Sequence, residues 1–192
     1  MKVKVKVPAT SANLGPGFDV AGLALTLYNT FTFELADQGL NITGCPEQFC
    51  NEENMTYQAF KQAAEICGLE YQGVNIECSG DVPYTRGLGS SSTCIVAGIV
   101  GAFAFKDKVE DRQEILELAT AIEGHPDNVA PAIFGGLTVS VMEEDNVLTL
   151  NIPVKHDYRF VTLIPPFTLS TEQSRSVLPQ VLPRADAIKN VS

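Results

Sequence analysis

The chain has 192 residues, enough for one domain or two small ones. A hydrophobic content of 45% against 19% charged is globular and argues against a disordered or fibrous protein. Thirteen basic against 23 acidic residues give a formal charge of -10, which argues against nucleic acid or an anionic membrane as a partner, and no apolar run approaches the length of a bilayer span.

In chain order, the opening segment alternates. Val3, Val5 and Val7 point one way and Lys2, Lys4 and Lys6 the other, which predicts a strand rather than a signal peptide, with Pro8 ending it. A loop runs on to Asp19. A second strand is expected from about Leu25 to Ala36, followed by a polar loop that ends near Asn54. Tyr57, Phe60, Ala64 and Cys67 at helical spacing predict a helix over Met55 to Cys67, closed by Gly68. Val74 to Cys78 reads as a short strand, and Ser91 to Phe105 as a helix apolar almost all round, hence buried. Its Ala97, Gly98, Gly101 and Ala102 would permit close packing. A further helix is expected from Arg112 to Glu123, capped by Asp111 with Glu114 three residues on, and stopped by Gly124. Strands follow at Leu137 to Met142, Val147 to Ile152 and Phe160 to Ile164, the first two joined by a turn over Glu143 to Asn146, and a new element begins at Ser170 or Thr171. Strands and helices mix without regular alternation, which favours α+β over a doubly wound sheet. The five cysteines are odd in number and form no CxxC pair, so they read as reduced cytosolic thiols, mostly packing residues.

Three segments carry chemistry. Arg86-Gly87-Leu88-Gly89-Ser90-Ser91-Ser92 lies between a strand and the buried helix. Its glycines admit a close ligand, and successive N–H groups at a helix start suit an anion. It lacks the lysine of a Walker A loop. The second segment, Thr10 to Asp19, groups Asn13 and Asp19 among glycines. Its polar groups suit a small polar ligand or simply local caps. The third, Gly124 to Pro131, sets His125 beside Asp127 and Asn128 in what reads as a loop, where acid and imidazole can ligate, exchange protons or fix a substrate.

Together, in this order, the three segments resemble the motifs of the GHMP kinase superfamily, and His125-Pro126-Asp127-Asn128 resembles the form found in its homoserine kinase branch. The resemblance implies an N-terminal domain like the second domain of ribosomal protein S5 over residues 1–155. Residues 156–192 would then start an incomplete, ferredoxin-like C-terminal domain. It implies ATP and Mg²⁺ as cofactors and L-homoserine as the substrate, phosphorylated on its hydroxyl in threonine biosynthesis in the cytoplasm. ATP phosphates would lie on Pro83, Arg86, Gly87, Leu88, Gly89, Ser90, Ser91 and Ser92. Ser91 and Glu117 would hold Mg²⁺, and Asn54 would reach the adenine. Asn13, Asp19, His125, Thr171 and Arg175 would hold the substrate, a guanidinium pairing with its carboxylate. Asn54 is equally placed to cap its helix, and Glu117, opposite the apolar stripe, to be simply solvated.

Phosphoryl transfer needs positioning and charge neutralisation more than covalent chemistry. The resemblance implies Asn128 where related kinases carry a catalytic Asp, so direct attack by the substrate hydroxyl is expected, with a base-dependent route through Asp127 as the rival. Because family members are longer, weak nucleotide binding and slow turnover are expected of this chain, and an unpaired edge could make it a homodimer. Another GHMP kinase of the mevalonate or phosphomevalonate type, or a catalytically silent nucleotide-binding homologue, remain the alternatives.

Overall fold

The computed structural model describes residues 1–143, 146–154, 158–164, 176–179 and 181–191. The elements are β1 (Lys2–Ala12), β2 (Ala21–Ala36), β3 (Gly39–Thr43), a single 3-10 turn (Glu47–Phe49), α1 (Met55–Cys67), β4 (Gly73–Gly80), α2 (Ser90–Ala104), α3 (Arg112–Glu123), α4 (Pro126–Phe134), β5 (Leu137–Glu143), β6 (Asn146–Ile152) and α5 (Arg184–Val191).

β2, sixteen residues long, is the spine of a six-stranded mixed sheet. It pairs antiparallel with β1 along one edge, and with β4 and then β5 along the other. β3 adds to β4 in parallel, and β6 to β5 as a hairpin. The alternation of β1 sends Val5 and Val7 to the same buried face as Phe31, Phe33, Val74 and Ile76, where α1, α2, α3 and α4 cover them in one core. The opposite face carries the lysines, with Lys2 on Glu34 at 3.3 Å and Lys6 over the Tyr28 ring. Phe33 stacks on Phe60 at 5.5 Å, both fully buried. Burying each such ring stabilises the fold by roughly 2–3 kcal/mol.

α1 and α3 occupy the residues their patterns predict, with Asn54 and Asp111 accepting at their N-caps and Gly68 and Gly124 left-handed at their ends. The glycines of α2 do pack closely. A Cβ at Gly98 would lie 2.3 Å from the Thr56 carbonyl oxygen, and one at Gly101 2.7 Å from the Phe33 ring.

Three expectations are corrected. β1 runs through Pro8 to Ala12, because β1 is an edge strand and its register on β2 shifts between Pro8 and Thr10, so the missing N–H disrupts no second ladder. The segment after His125 is a helix, α4, rather than a loop. Pro126 sits at its first turn, where no N–H is needed. Pro131, inside α4, cannot bond back to the Asp127 carbonyl, and that oxygen lies so close to β2 that a Cβ at Gly22 would be 1.7 Å away. Finally, residues 158–164 form no strand. Phe160, Val161 and Leu163 are exposed, with no neighbouring strand to bond among the described residues. β3, hidden in the polar loop, is an element the sequence pattern does not reveal. The element expected at Ser170 or Thr171 begins outside the described residues.

Candidate active site

The segment Asp81 to Gly89 joins β4 to α2, which opens with Ser90, Ser91 and Ser92. Gly89 is the N-cap of α2 with φ +65°, and Gly87 has φ +70°. The first helical bond is Thr93 N–H to the Gly89 carbonyl at 2.9 Å, so the amides of the preceding turn have no acceptor within the helix. They present N–H groups and the positive end of a fifteen-residue helix. The loop is pinned from behind. Leu88 is buried against Ala9 and Val82, and its carbonyl accepts from Thr10 N–H at 3.1 Å. Leu88 therefore contributes backbone to any ligand, not side chain. Gly87 is exposed, Pro83 and Arg86 are half-buried, and Ser90 accepts from the Thr85 amide.

Ser91 and Ser92 face an acid. Both hydroxyls donate to Oε1 of Glu123, at 2.8 and 3.2 Å. Burial raises the Glu123 carboxyl above its ordinary value, partly offset by the bond from Ser91, by His125 and by the bond from Ser92. Glu117, the acid expected beside Ser91, instead accepts from Gln113, whose amide also binds the Val147 carbonyl. Six residues separate the two glutamates, which turns them about 120° apart around α3. The structure thus puts Glu123 where the sequence reading put Glu117. Ser92 is wholly buried with its hydroxyl turned inward, so only its amide faces the helix start.

A second set of polar groups converges behind Gly89. Thr10 donates to Asn128 Oδ1 at 2.7 Å, and Asn128 Nδ2 donates to Asp127 Oδ1 at 3.3 Å. That same carboxylate oxygen accepts from Nδ1 of His125. A carboxylate oxygen can only accept, so Nδ1 is the donor in this pair. Asp127 is completely buried, and its Oδ2 has no hydrogen-bond partner. A Cβ at Gly89 would meet Thr10 Oγ1 at 2.0 Å and Asn128 Oδ1 at 3.3 Å, so this set abuts the helix start directly.

On the loop after β1, Asn13 and Asp19 both adopt left-handed φ, of 58° and 57°, and Asn13 Oδ1 accepts from the Asp19 amide at 2.9 Å. The bond closes the loop around Gly15 and Gly17. Thr171 and Arg175 lie outside the described residues.

A cavity of about 330 Å³ opens beside the helix start. Ser90 and Ser91 form one end, and Phe31, Phe49, Val82 and Tyr84 give it apolar walls. The Phe49 and Tyr84 rings pack on each other in that wall, tilted by 36° with centroids 6.1 Å apart. Asn54 lines it, but its side chain is engaged. Oδ1 caps α1 through Thr56 and Tyr57, and Nδ2 donates to the Phe49 carbonyl at 2.8 Å. Asn29 anchors the back wall, bonding Thr93 and accepting from the Val82 amide. Sequence reasoning missed Thr10, Asn29, Phe49, Tyr84 and Glu123. Thr10, first residue of the second motif segment, Glu123, two residues before His125, and Tyr84, beside the glycine loop, carried a positional hint.

Residues 54–136 match the family described as GHMP kinases N terminal domain. The chain has the GHMP kinase fold with its mixed sheet. Along nearly its whole length the similarity is to homoserine kinases. It is 50% identical over 191 residues to a homoserine kinase of Clostridium beijerinckii, a match covering 99% of this chain and 64% of the relative. A crystal structure of homoserine kinase from Cytophaga hutchinsonii superposes with a TM-score of 0.81 at 27% identity, covering 99% of this chain and 64% of that one. The Methanococcus jannaschii mevalonate kinase, at a TM-score of 0.63 and 16% identity over 80% of this chain and 56% of that one, shares the fold. The chain thus spans 64% of the length of the homoserine kinases it matches. Among the described residues, no helix is long and apolar enough to cross a membrane.

Proposed function

We propose that this chain carries the ATP site and part of the substrate site of a kinase that phosphorylates the hydroxyl of L-homoserine. One observation carries the reading. The serine-bearing start of α2 stands between an aromatic-walled cavity and the Thr10–Asn128–Asp127–His125 chain. A flat base suits the cavity, a phosphate tail the free amides, and an acceptor substrate the polar chain beyond Gly89.

The residues present fit a magnesium ion. Ser91 and Glu123 offer the oxygen donors a hard divalent cation takes, and the cation would relieve the charge buried at Glu123. When bound, it would neutralise phosphate charge. The chain's own part is positional. The amides of Gly87 to Ser92 hold the phosphates, and Thr10 orients Asn128. Asp127 fixes the imidazole of His125, and its unpaired Oδ2 is buried behind that ring. Asn128 is an amide and cannot take a proton as a base, which favours direct attack by the hydroxyl with its proton passing to phosphate or solvent. Asn13 and Asp19 would complete the substrate side, with Thr171 and Arg175.

Within the same proposal, residues 1–155 form a domain like the second domain of ribosomal protein S5, residues 156–192 belong to a ferredoxin-like domain, and the enzyme works in the cytoplasm. The homoserine kinase matches, at higher identity than the mevalonate kinase match, favour homoserine over mevalonate. The test is calorimetric titration with ADP, with and without Mg²⁺, then with homoserine and mevalonate. Saturable, Mg²⁺-enhanced ADP binding and a preference for homoserine are expected. No nucleotide binding would refute the reading. Asp127→Asn separates the two routes, since loss of turnover with both affinities intact would favour the base.

A further inference from the structure

Four of the five cysteines gather at the nucleotide cavity, though they come from separate places in the chain. Cys45 follows β3, Cys78 lies on β4 and Cys94 on α2, and all three line the cavity. Cys50 lies just outside, at the end of the 3-10 turn. The Sγ atoms of Cys45 and Cys50 are 3.5 Å apart, and the Cys50 thiol also points back at the carbonyls of Cys45 and Pro46, each at 3.7 Å. Packing does not require this, for Cys50 is exposed and Cys45 only half-buried. The turn they bracket carries Phe49, which faces Tyr84 and gives its carbonyl to Asn54.

We propose that Cys45 and Cys50 are a reversible oxidation site whose disulfide draws the Phe49 turn inward and weakens nucleotide binding. The inference rests on the reading of the cavity as the nucleotide site. The sulfurs need approach by only about 1.5 Å to reach a disulfide bond of roughly 2.05 Å. The five-residue spacing makes the closed loop local, so the change stays in the turn.

The two thiols differ in role. Burial and the adjacent Cys50 push Cys45 up to about 11, and burial pushes Cys78 up to about 12, so neither is a ready thiolate near neutral pH. Exposed Cys50 is the one an oxidant reaches. As its thiolate it attacks one sulfur of a small-molecule disulfide, whose S–S bond breaks and releases one thiolate, leaving a mixed disulfide on Cys50. Cys45 then loses its proton to solvent and attacks Sγ of Cys50, releasing the second small thiol. Two protein thiols are oxidised and one small disulfide is reduced to two thiols.

The experiment equilibrates the full chain with oxidised glutathione, maps disulfides by peptide mass, and titrates ADP before and after, with dithiothreitol reversal. Expected are a Cys45–Cys50 link, an ADP affinity lowered about tenfold, the scale of one lost hydrogen bond of the Asn54–Phe49 kind, and recovery on reduction. Cys50→Ser should bind ADP like the reduced protein and ignore the oxidant. A link through Cys78 or Cys94 instead, a stable mixed disulfide, or a mapped Cys45–Cys50 link with unchanged affinity would overturn the proposal. If the reduced chain binds no ADP, the nucleotide reading falls on its own, and the mapping alone decides whether the pair is an oxidation site.

Discussion

Gly89→Ala perturbs the point where the helix start meets the polar chain. Two costs arise. A non-glycine residue at φ +65° carries about 1–2 kcal/mol of backbone strain. The new methyl would also lie 2.0 Å from Thr10 Oγ1, and overpacking of that kind costs roughly 1–3 kcal/mol. The sum, about 2–5 kcal/mol, should lower the urea midpoint well below that of the parent and weaken nucleotide binding. The steric part is removable. Thr10→Ala removes the clashing Oγ1 and leaves Cβ at 3.2 Å, although alone it leaves Asn128 Oδ1 unpaired at a cost of about 1–3 kcal/mol. In a double-mutant cycle followed by urea unfolding, Gly89→Ala with Thr10→Ala should therefore be more stable than the two single effects predict, by about 1–3 kcal/mol. Strict additivity would refute the contact and leave only backbone strain.

Other outcomes follow from the same geometry. Because burial raises Glu123, folding favours its protonated form. That contribution is fully present below the ordinary value of 4.5 and is lost as pH rises through the raised one. Glu123→Gln should therefore gain stability relative to the parent as pH rises above 4.5 in thermal scans without Mg²⁺, yet lose the Mg²⁺ enhancement of ADP binding. Asn54→Ala should cost about 1–2 kcal/mol through the lost cap and also disturb the Phe49 turn, whereas Asn54→Asp should keep the cap and disturb only the turn, visible as weaker ADP binding with near-parental stability. Gly98→Ala should destabilise more than Gly101→Ala, though each gains about 1 kcal/mol of helix propensity, because a methyl at 98 would lie 2.3 Å from the Thr56 backbone carbonyl and one at 101 would lie 2.7 Å from the Phe33 ring. Equal losses in denaturation midpoints would contradict that ordering.

The helices bounded by clear signals were legible in advance. Asp111, Gly68 and Gly124 state their chemistry locally, so α1 and α3 could be placed to the residue. What depends on partners was not. Pro8 looks like a stop until β1 is known to be an edge strand, and His125 to Pro131 looks like a loop until Pro126 is seen at a helix start. Phe160 to Ile164 has a strand's composition but lacks a neighbour to bond. At the site, the glycine-serine segment and the histidine motif were readable as residue types. The choice of Glu123 over Glu117 was not, because it turns on which face of α3 looks toward α2, a tertiary fact. The cavity walls came from four separated segments and left no local trace.

Where α2 crosses α1, glycine replaces bulk, and the two backbones touch with no side chain between them. Such a seam has no slack. α2 can neither roll nor slide without striking the Thr56 carbonyl or the Phe33 ring, so its amide-bearing tip is aimed before any ligand arrives. A bound anion then meets donors already in position, and little of its binding energy is spent on ordering them.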